Sequence, residues 1–238
     1  MRSTGIPAIL QAVRQRPDRV LLAAFGIVAA LVLFVLHIAS EVGAGDTNRL
    51  DSAILVGIRS ATDRPGAGLH ALRFAMQDFT ALGDSTTLTI VVLLVSGALL
   101  IVRKVAMAGF LIGASVIGTL AVELLKSAFD RPRPNVVAHW ATFSHTSFPS
   151  GHAADSAIVY LTLAALVARS VKSRGLRVYV VLAAMLLTLL IGVSRLYLGV
   201  HWPTDVLAGW ILGAGWAFLA ATIAWWLQTR HTLERPED

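Results

Sequence analysis

SRLYLGVHWPTDVLAGWILGAGWAFLAATIAWWL, residues 194–227, places an Arg, a His and an Asp immediately before the apolar run Val206–Leu227. About 20 apolar residues are what a helix needs to cross the hydrocarbon of a bilayer. Ionisable groups close to that hydrocarbon are costly, and where they occur they mark a functional path. The stretch therefore predicts a membrane span with a chemical site at its mouth.

Five further runs have the same apolar character: Val20–Ala39, Thr86–Val102, Ala106–Leu125, Ala153–Ala168 and Val178–Val193. The composition agrees, with 56% hydrophobic and only 14% charged residues against about 25% charged in soluble domains. The expectation is an all-α integral membrane protein, a bundle of six transmembrane helices forming one domain over residues 1–238. The first run follows Arg14, Arg16 and Arg19, as a signal peptide would, but it is too long for a signal core and reads as an uncleaved span. The net charge of +6 does not point to nucleic acid, because the basic residues sit in short loops between apolar runs. With no cysteine in the chain, thiol and disulfide chemistry is excluded.

Lys and Arg in the loops set the expected orientation. Twelve of the 20 lie on one side: Arg2, Arg14, Arg16, Arg19, Arg103, Lys104, Arg169, Lys172, Arg174, Arg177, Arg230 and Arg235. That side is assigned to the cytoplasm, which puts both termini there and turns the third-to-fourth and fifth-to-sixth loops outward. In a Gram-negative cell these loops face the periplasm from the inner membrane. Between the first two runs, residues 40–84 are too long for a featureless loop. Leu50, Ile54, Leu55 and Ile58, then Leu69, Leu72 and Met76, recur at helical spacing, and predict two amphipathic helices lying on the outer membrane surface. They either cap the bundle or gate a substrate. A shorter amphipathic piece, Ile9, Leu10 and Val13, precedes Pro17.

Three motifs fall on the outward side: KSAFDRPRP from Lys126, PSGH at residues 149–152, and the stretch Ser194–Asp205. Lys126, Arg133 and Arg195 are three cations with few nearby acids, and guanidinium forks and ammonium groups suit phosphate oxygens. Ser150 and Gly151 open the fourth span, where free backbone N–H groups and the helix dipole favour an anion. His201 and Asp205 are one helical turn apart, so the carboxylate can fix the imidazole's tautomer and leave its other nitrogen free as nucleophile or base. His152 can protonate a leaving oxygen. One histidine to attack and one to protonate suffice for phosphate-ester cleavage, with the three cations stabilising the charged transition state and no metal or cofactor required. Singly, each residue has a plain structural reading as a snorkelling base, a core histidine or a helix-end carboxylate. Glu123, one turn before Lys126, is placed to pair with it, and Asp155, one turn after His152, to orient it. His139 and His145 read as loop histidines with a possible substrate contact.

The pattern KxxxxxxRP, PSGH and SRxxxxxHxxxD resembles the type 2 phosphatidic acid phosphatase (PAP2) superfamily, and the span layout is similar to its membrane lipid phosphatases. The resemblance implies a phosphohistidine on His201, Asp205 as its partner, His152 as the acid, and Lys126, Arg133, Ser150, Gly151 and Arg195 as phosphate ligands. Only Arg133-Pro134 has the six-residue spacing, so Arg131-Pro132 stands outside the motif. The expected substrate is a lipid phosphate or diphosphate presented from the bilayer. Undecaprenyl diphosphate is the first choice, ahead of phosphatidylglycerol phosphate, phosphatidic acid and lipid A phosphate. The competing readings are a vanadate-dependent haloperoxidase, disfavoured by six apolar runs, and a lipid-headgroup transporter or binding protein, which has no need of the two histidines. The sequence carries no reading of oligomeric state.

Overall fold

The computed structural model describes residues 17–62, 69–141 and 146–234, and within it the side chains of residues 69 and 70 are not described. The expected N-terminal amphipathic piece and the loop residue His145 lie outside the described residues, as do the basic residues Arg2, Arg14, Arg16 and Arg235.

The described chain is all helical. Its helices are α1 (Pro17–Ala44), α2 (Asn48–Thr62), α3 (Leu69–Ala81), α4 (Ser85–Ile101), α5 (Val105–Ser127), α6 (Gly151–Ser170), α7 (Arg174–Tyr197) and α8 (Pro203–Thr229). Five of them, α1, α5, α6, α7 and α8, are long and apolar enough to cross a membrane. The expected second span is α4. Its 17 residues reach only about 26 Å at 1.5 Å per residue, less than the roughly 30 Å of a bilayer core. α3 runs into it at a bend of 53°, and the bent pair makes a sixth candidate span. α6 changes to a π-helical turn over Ala157–Leu161, an irregularity that proteins often keep close to functional sites.

α8 is the central helix. α1 packs along one side of it, and the first turns of α6 pack along another. The second contact depends on two glycines. A Cβ on Gly213 would stand 2.4 Å from the Ala154 carbonyl oxygen, and one on Gly209 would stand 2.6 Å from that of Ser150. Ala153, Ala154 and Ala157, all buried, complete a seam of small residues. Such seams let helices approach in lipid, where no hydrophobic force drives them together. The seam brings the start of α6 against the start of α8. Leu22, Phe25, Leu33, Leu94, Leu124 and Leu186, by contrast, are exposed on the bundle's outside, as expected of surfaces meeting acyl chains.

The segment between the first two spans is two helices, as its periodicity predicts. In α2 the faces are divided: Leu50, Ile54 and Val56 are exposed, while Asp51 and Leu55 are buried. The inward face thus carries a carboxylate.

Candidate active site

His201 lies in the short connection between α7 and α8 and is only 2% exposed. Pro203 starts α8, where its missing N–H costs nothing, and the first turn of the helix swings Asp205 back towards the imidazole. His201 Nδ1 is 3.4 Å from Asp205 Oδ2. That oxygen also accepts from Ser147 Oγ at 2.5 Å and from the Trp202 backbone N–H at 2.9 Å. The other oxygen, Oδ1, accepts from Arg131 Nη1 at 2.5 Å. With the carboxylate beside Nδ1, the Nδ1–H tautomer is favoured and Nε2 keeps its lone pair.

Nε2 faces Arg133, whose Nη1 is 3.1 Å away. Arg133 is itself held by the carbonyls of Val200 and Thr146, at 2.6 and 3.0 Å. Burial lowers the Arg133 pKa from its usual value, opposed by the Asp205 charge. Burial also brings the His201 pKa down to about 4, assisted by Arg195 and Arg133 and opposed by Asp205. At neutral pH the imidazole is therefore uncharged, as a nucleophile must be.

The second motif joins this group through the backbone. The Ser150 N–H donates to the Asp205 carbonyl at 3.0 Å. Ser150 caps α6 without a side-chain capping bond, and its buried hydroxyl has no hydrogen-bond partner among the described residues. The first N–H groups of α6 have no acceptor within the helix. A methyl on Gly151 would stand 3.9 Å from Lys126 Nζ, so the ammonium lies over this helix start. Arg195 Nη1 donates to Thr80 Oγ1 at 2.7 Å, while its buried Nε has no partner among the described residues. His152 lies within electrostatic reach of Arg195, His201, Lys126 and Arg133. All eight residues singled out from the motifs therefore converge on one place. Three cations, an uncharged imidazole and a helix start with orphaned donors can together bind a tetrahedral oxyanion and attack its central atom.

Two supporting expectations fare differently. Glu123 is exposed, within electrostatic reach of Lys126. Asp155 is not hydrogen-bonded to His152: its carboxylate lies beside Thr119 of α5 and near Lys126, and its buried Oδ1 has no hydrogen-bond partner among the described residues. His139 reaches the Pro134 carbonyl and so braces its own loop.

The sequence reading missed a layer of supporting residues. Arg131, set aside as the spare half of RPRP, bridges Asp205 and Asp51. Ser147 holds Asp205 and Thr80 holds Arg195. The bend between α3 and α4 presses on the site as well: a Cβ on Gly83 would come within 3.5 Å of His152 Cδ2, and the Tyr160 hydroxyl donates to the Leu82 carbonyl. The sequence puts Asp51 and Leu55 on one helical face, but only the structure shows that this is the buried face and that the acid has an internal partner there.

Residues 104–229 match the PAP2 superfamily, and the chain belongs to it: it is a multi-pass membrane lipid phosphatase of the PAP2 type. Phosphatidylglycerophosphatase B of Bacillus subtilis is 34% identical over 148 residues, 60% of this chain and 70% of that protein. The crystal structure of a transmembrane PAP2-type phosphatidylglycerolphosphate phosphatase from Bacillus subtilis superposes with a TM-score of 0.71 at 29% identity, covering 81% of this chain and 93% of that one. An undecaprenyl-diphosphatase of Sulfolobus acidocaldarius is 39% identical over 77 residues, 32% of this chain and 33% of that protein.

Proposed function

We propose that this protein dephosphorylates phosphatidylglycerol phosphate at the outer face of the cytoplasmic membrane, through a phosphohistidine on His201 and without a metal. The substrate choice departs from the first reading of the sequence. Undecaprenyl diphosphate came first there, but likeness to phosphatidylglycerophosphatase B runs through most of both chains, spans included, whereas likeness to the undecaprenyl-diphosphatase covers a third of each. Headgroup motifs are shared across the family, so the extent of likeness outside them is what bears on the tail and the headgroup.

In this mechanism the phosphoryl group sits at the start of α6. Its oxygens are held by Lys126, Arg133 and Arg195 and by the Ser150 and Gly151 end of the helix. His201 Nε2 attacks phosphorus while His152 protonates the departing glycerol oxygen. Asp205 keeps the proton on Nδ1 and stabilises the cationic phosphohistidine. His152, now a base, activates the water that releases phosphate. The observation that carries the reading is Arg133 beside Nε2 at 3.1 Å: the group that would grip phosphate oxygen stands against the atom that would attack phosphorus. The Lys and Arg distribution is what supports chemistry at the outer face. The test is phosphate release by purified protein in detergent from phosphatidylglycerol phosphate, phosphatidic acid, undecaprenyl diphosphate and lipid A phosphate, with His201→Ala as control. The reading expects the highest kcat/KM on phosphatidylglycerol phosphate and none in the control. A higher value on undecaprenyl diphosphate reverses the substrate order, and an active, folded control removes the mechanism.

A further inference from the structure

Behind His201, on the side away from Arg133, lies a charged group that phosphate binding does not use. Arg131 is 7% exposed and Asp51 0% exposed. Arg131 Nη2 donates to Asp51 Oδ2 at 2.7 Å, while Nη1 donates to Asp205 Oδ1 at 2.5 Å and to Thr204 Oγ1 at 2.7 Å. Thr204 donates in turn to Asp51, its backbone N–H to Oδ1 at 3.1 Å and its hydroxyl to Oδ2 at 2.7 Å. We propose that Asp51 and Arg131 are positioning residues for the phosphatase reaction: together they hold Asp205, and through it His201, so that α2 completes the catalytic apparatus. The proposal rests on the reading of His201 as nucleophile.

Two physical arguments support it. The first is charge. A guanidinium bonded to Asp205 alone would cancel the carboxylate and weaken its hold on a cationic phosphohistidine. Asp51, on the other branch of the same fork, restores a net charge of −1 to the Asp51–Arg131–Asp205 group. The second is placement. The N-cap of α8 is Trp202, which has no side-chain oxygen to accept from the first turn, as the favoured capping residues do. Asp51 supplies that acceptor from another helix by taking the Thr204 N–H. The turn that carries Asp205 is thereby fixed to α2.

A merely structural ion pair would hold the fold and leave the chemistry of His201 alone. The pH profile tells the two apart. The charged groups bearing on His201 are Asp205 on its own turn, Arg133 and Arg131 from the α5–α6 loop, Arg195 from α7, His152 from α6, and Asp51 behind Arg131. Asp51→Asn removes a negative charge and destabilises the imidazolium, so the acidic limb of kcat/KM moves to lower pH. Arg131→Gln removes a positive charge and moves it to higher pH. Each shift should be about half a unit or more, as charges a few side chains apart in a protein produce. Arg131→Lys keeps the charge and loses the fork, so the limb stays in place. In all three, kcat falls roughly 10–100-fold, as when a partner one step behind a metal ligand is lost, while KM stays within about twofold because the phosphate ligands are untouched.

The experiment measures phosphate release from phosphatidylglycerol phosphate and phosphatidic acid between pH 3 and 8, with thermal melting of the same purified variants. The substrate's own ionisation is common to all of them. Opposite limb shifts with reduced kcat support the proposal. Wild-type kcat, or limbs that stay put or move the same way in both single variants, overturns it. Should the singly charged variants fail to fold, Arg131→Lys and the neutral double variant Asp51→Asn with Arg131→Gln decide: reduced kcat at unchanged KM supports positioning, and wild-type kcat in either overturns it. His201→Ala separates the levels. If it is inactive while these variants behave as wild type, only the positioning role falls; if it is active, the parent reading falls.

Discussion

Asp205→Asn is the substitution whose outcome the hydrogen-bond geometry dictates most closely. Asp205 accepts from Arg131 on Oδ1, and from Ser147 and the Trp202 N–H on Oδ2, the oxygen beside His201 Nδ1. An asparagine can match only one of those two positions with an oxygen. Arg131 and the Trp202 N–H are both donors that cannot change roles, but the charged guanidinium makes the shorter and stronger bond. The amide oxygen therefore turns towards it at the expense of the Trp202 N–H, and the amide NH2 then faces His201. Two donors would meet there unless the imidazole moves its proton from Nδ1 to Nε2. That tautomer has no lone pair on the attacking nitrogen. Loss of the orienting carboxylate in a hydrolase triad by this route costs about four orders of magnitude in kcat, or about 5.5 kcal/mol at the transition state. The fold should tolerate the change, since Arg131 keeps its ion pair with Asp51. The assay is phosphate release and thermal melting on the same purified variant. A well-folded Asp205→Asn protein with kcat within tenfold of wild type would show that this carboxylate does not set the state of His201.

Gly213→Ala puts a methyl 2.4 Å from a backbone oxygen, so the α6–α8 seam must part. We expect a loss of about 1–3 kcal/mol, read by thermal melting, together with reduced phosphate release. His201 titrates near 4 when folded and near 6.5 when unfolded, so the unfolded chain binds more protons between those values. Stability is then full above about pH 6.5 and falls towards pH 4, by up to about 3 kcal/mol; melting temperature against pH should lose this slope in His201→Gln. Activity should survive EDTA and be inhibited by orthovanadate, a pentacoordinate phosphate mimic, whereas loss on chelation with recovery on adding Mg²⁺ or Zn²⁺ would contradict the mechanism. Reporter fusions at Arg174 and at the C-terminus should read cytoplasmic and one near His139 periplasmic, and the reverse pattern would move the chemistry to the inner face.

By itself the sequence determined the membrane class, the apolar runs and the motif residues. All of these are short-range facts. Six runs are visible because hydrocarbon demands about 20 apolar residues in succession. His201 and Asp205 are legible as a pair because four residues make one helical turn, and Ser150–His152 because a glycine at a helix start exposes backbone donors. Tertiary structure decided what stands behind those residues. Arg131 meets Asp51 across 80 residues, Ser147 meets Asp205 across 58 and Arg195 meets Thr80 across 115. No periodicity encodes such partners, since they depend on which helices cross and how closely, and Gly209 and Gly213 set one of those crossings. Periodicity also misleads in lipid, where apolar side chains line the outside. In α2 the apolar stripe that marks the helix is partly exposed, at Leu50 and Ile54, and it is the acid between them, Asp51, that turns inward to Arg131.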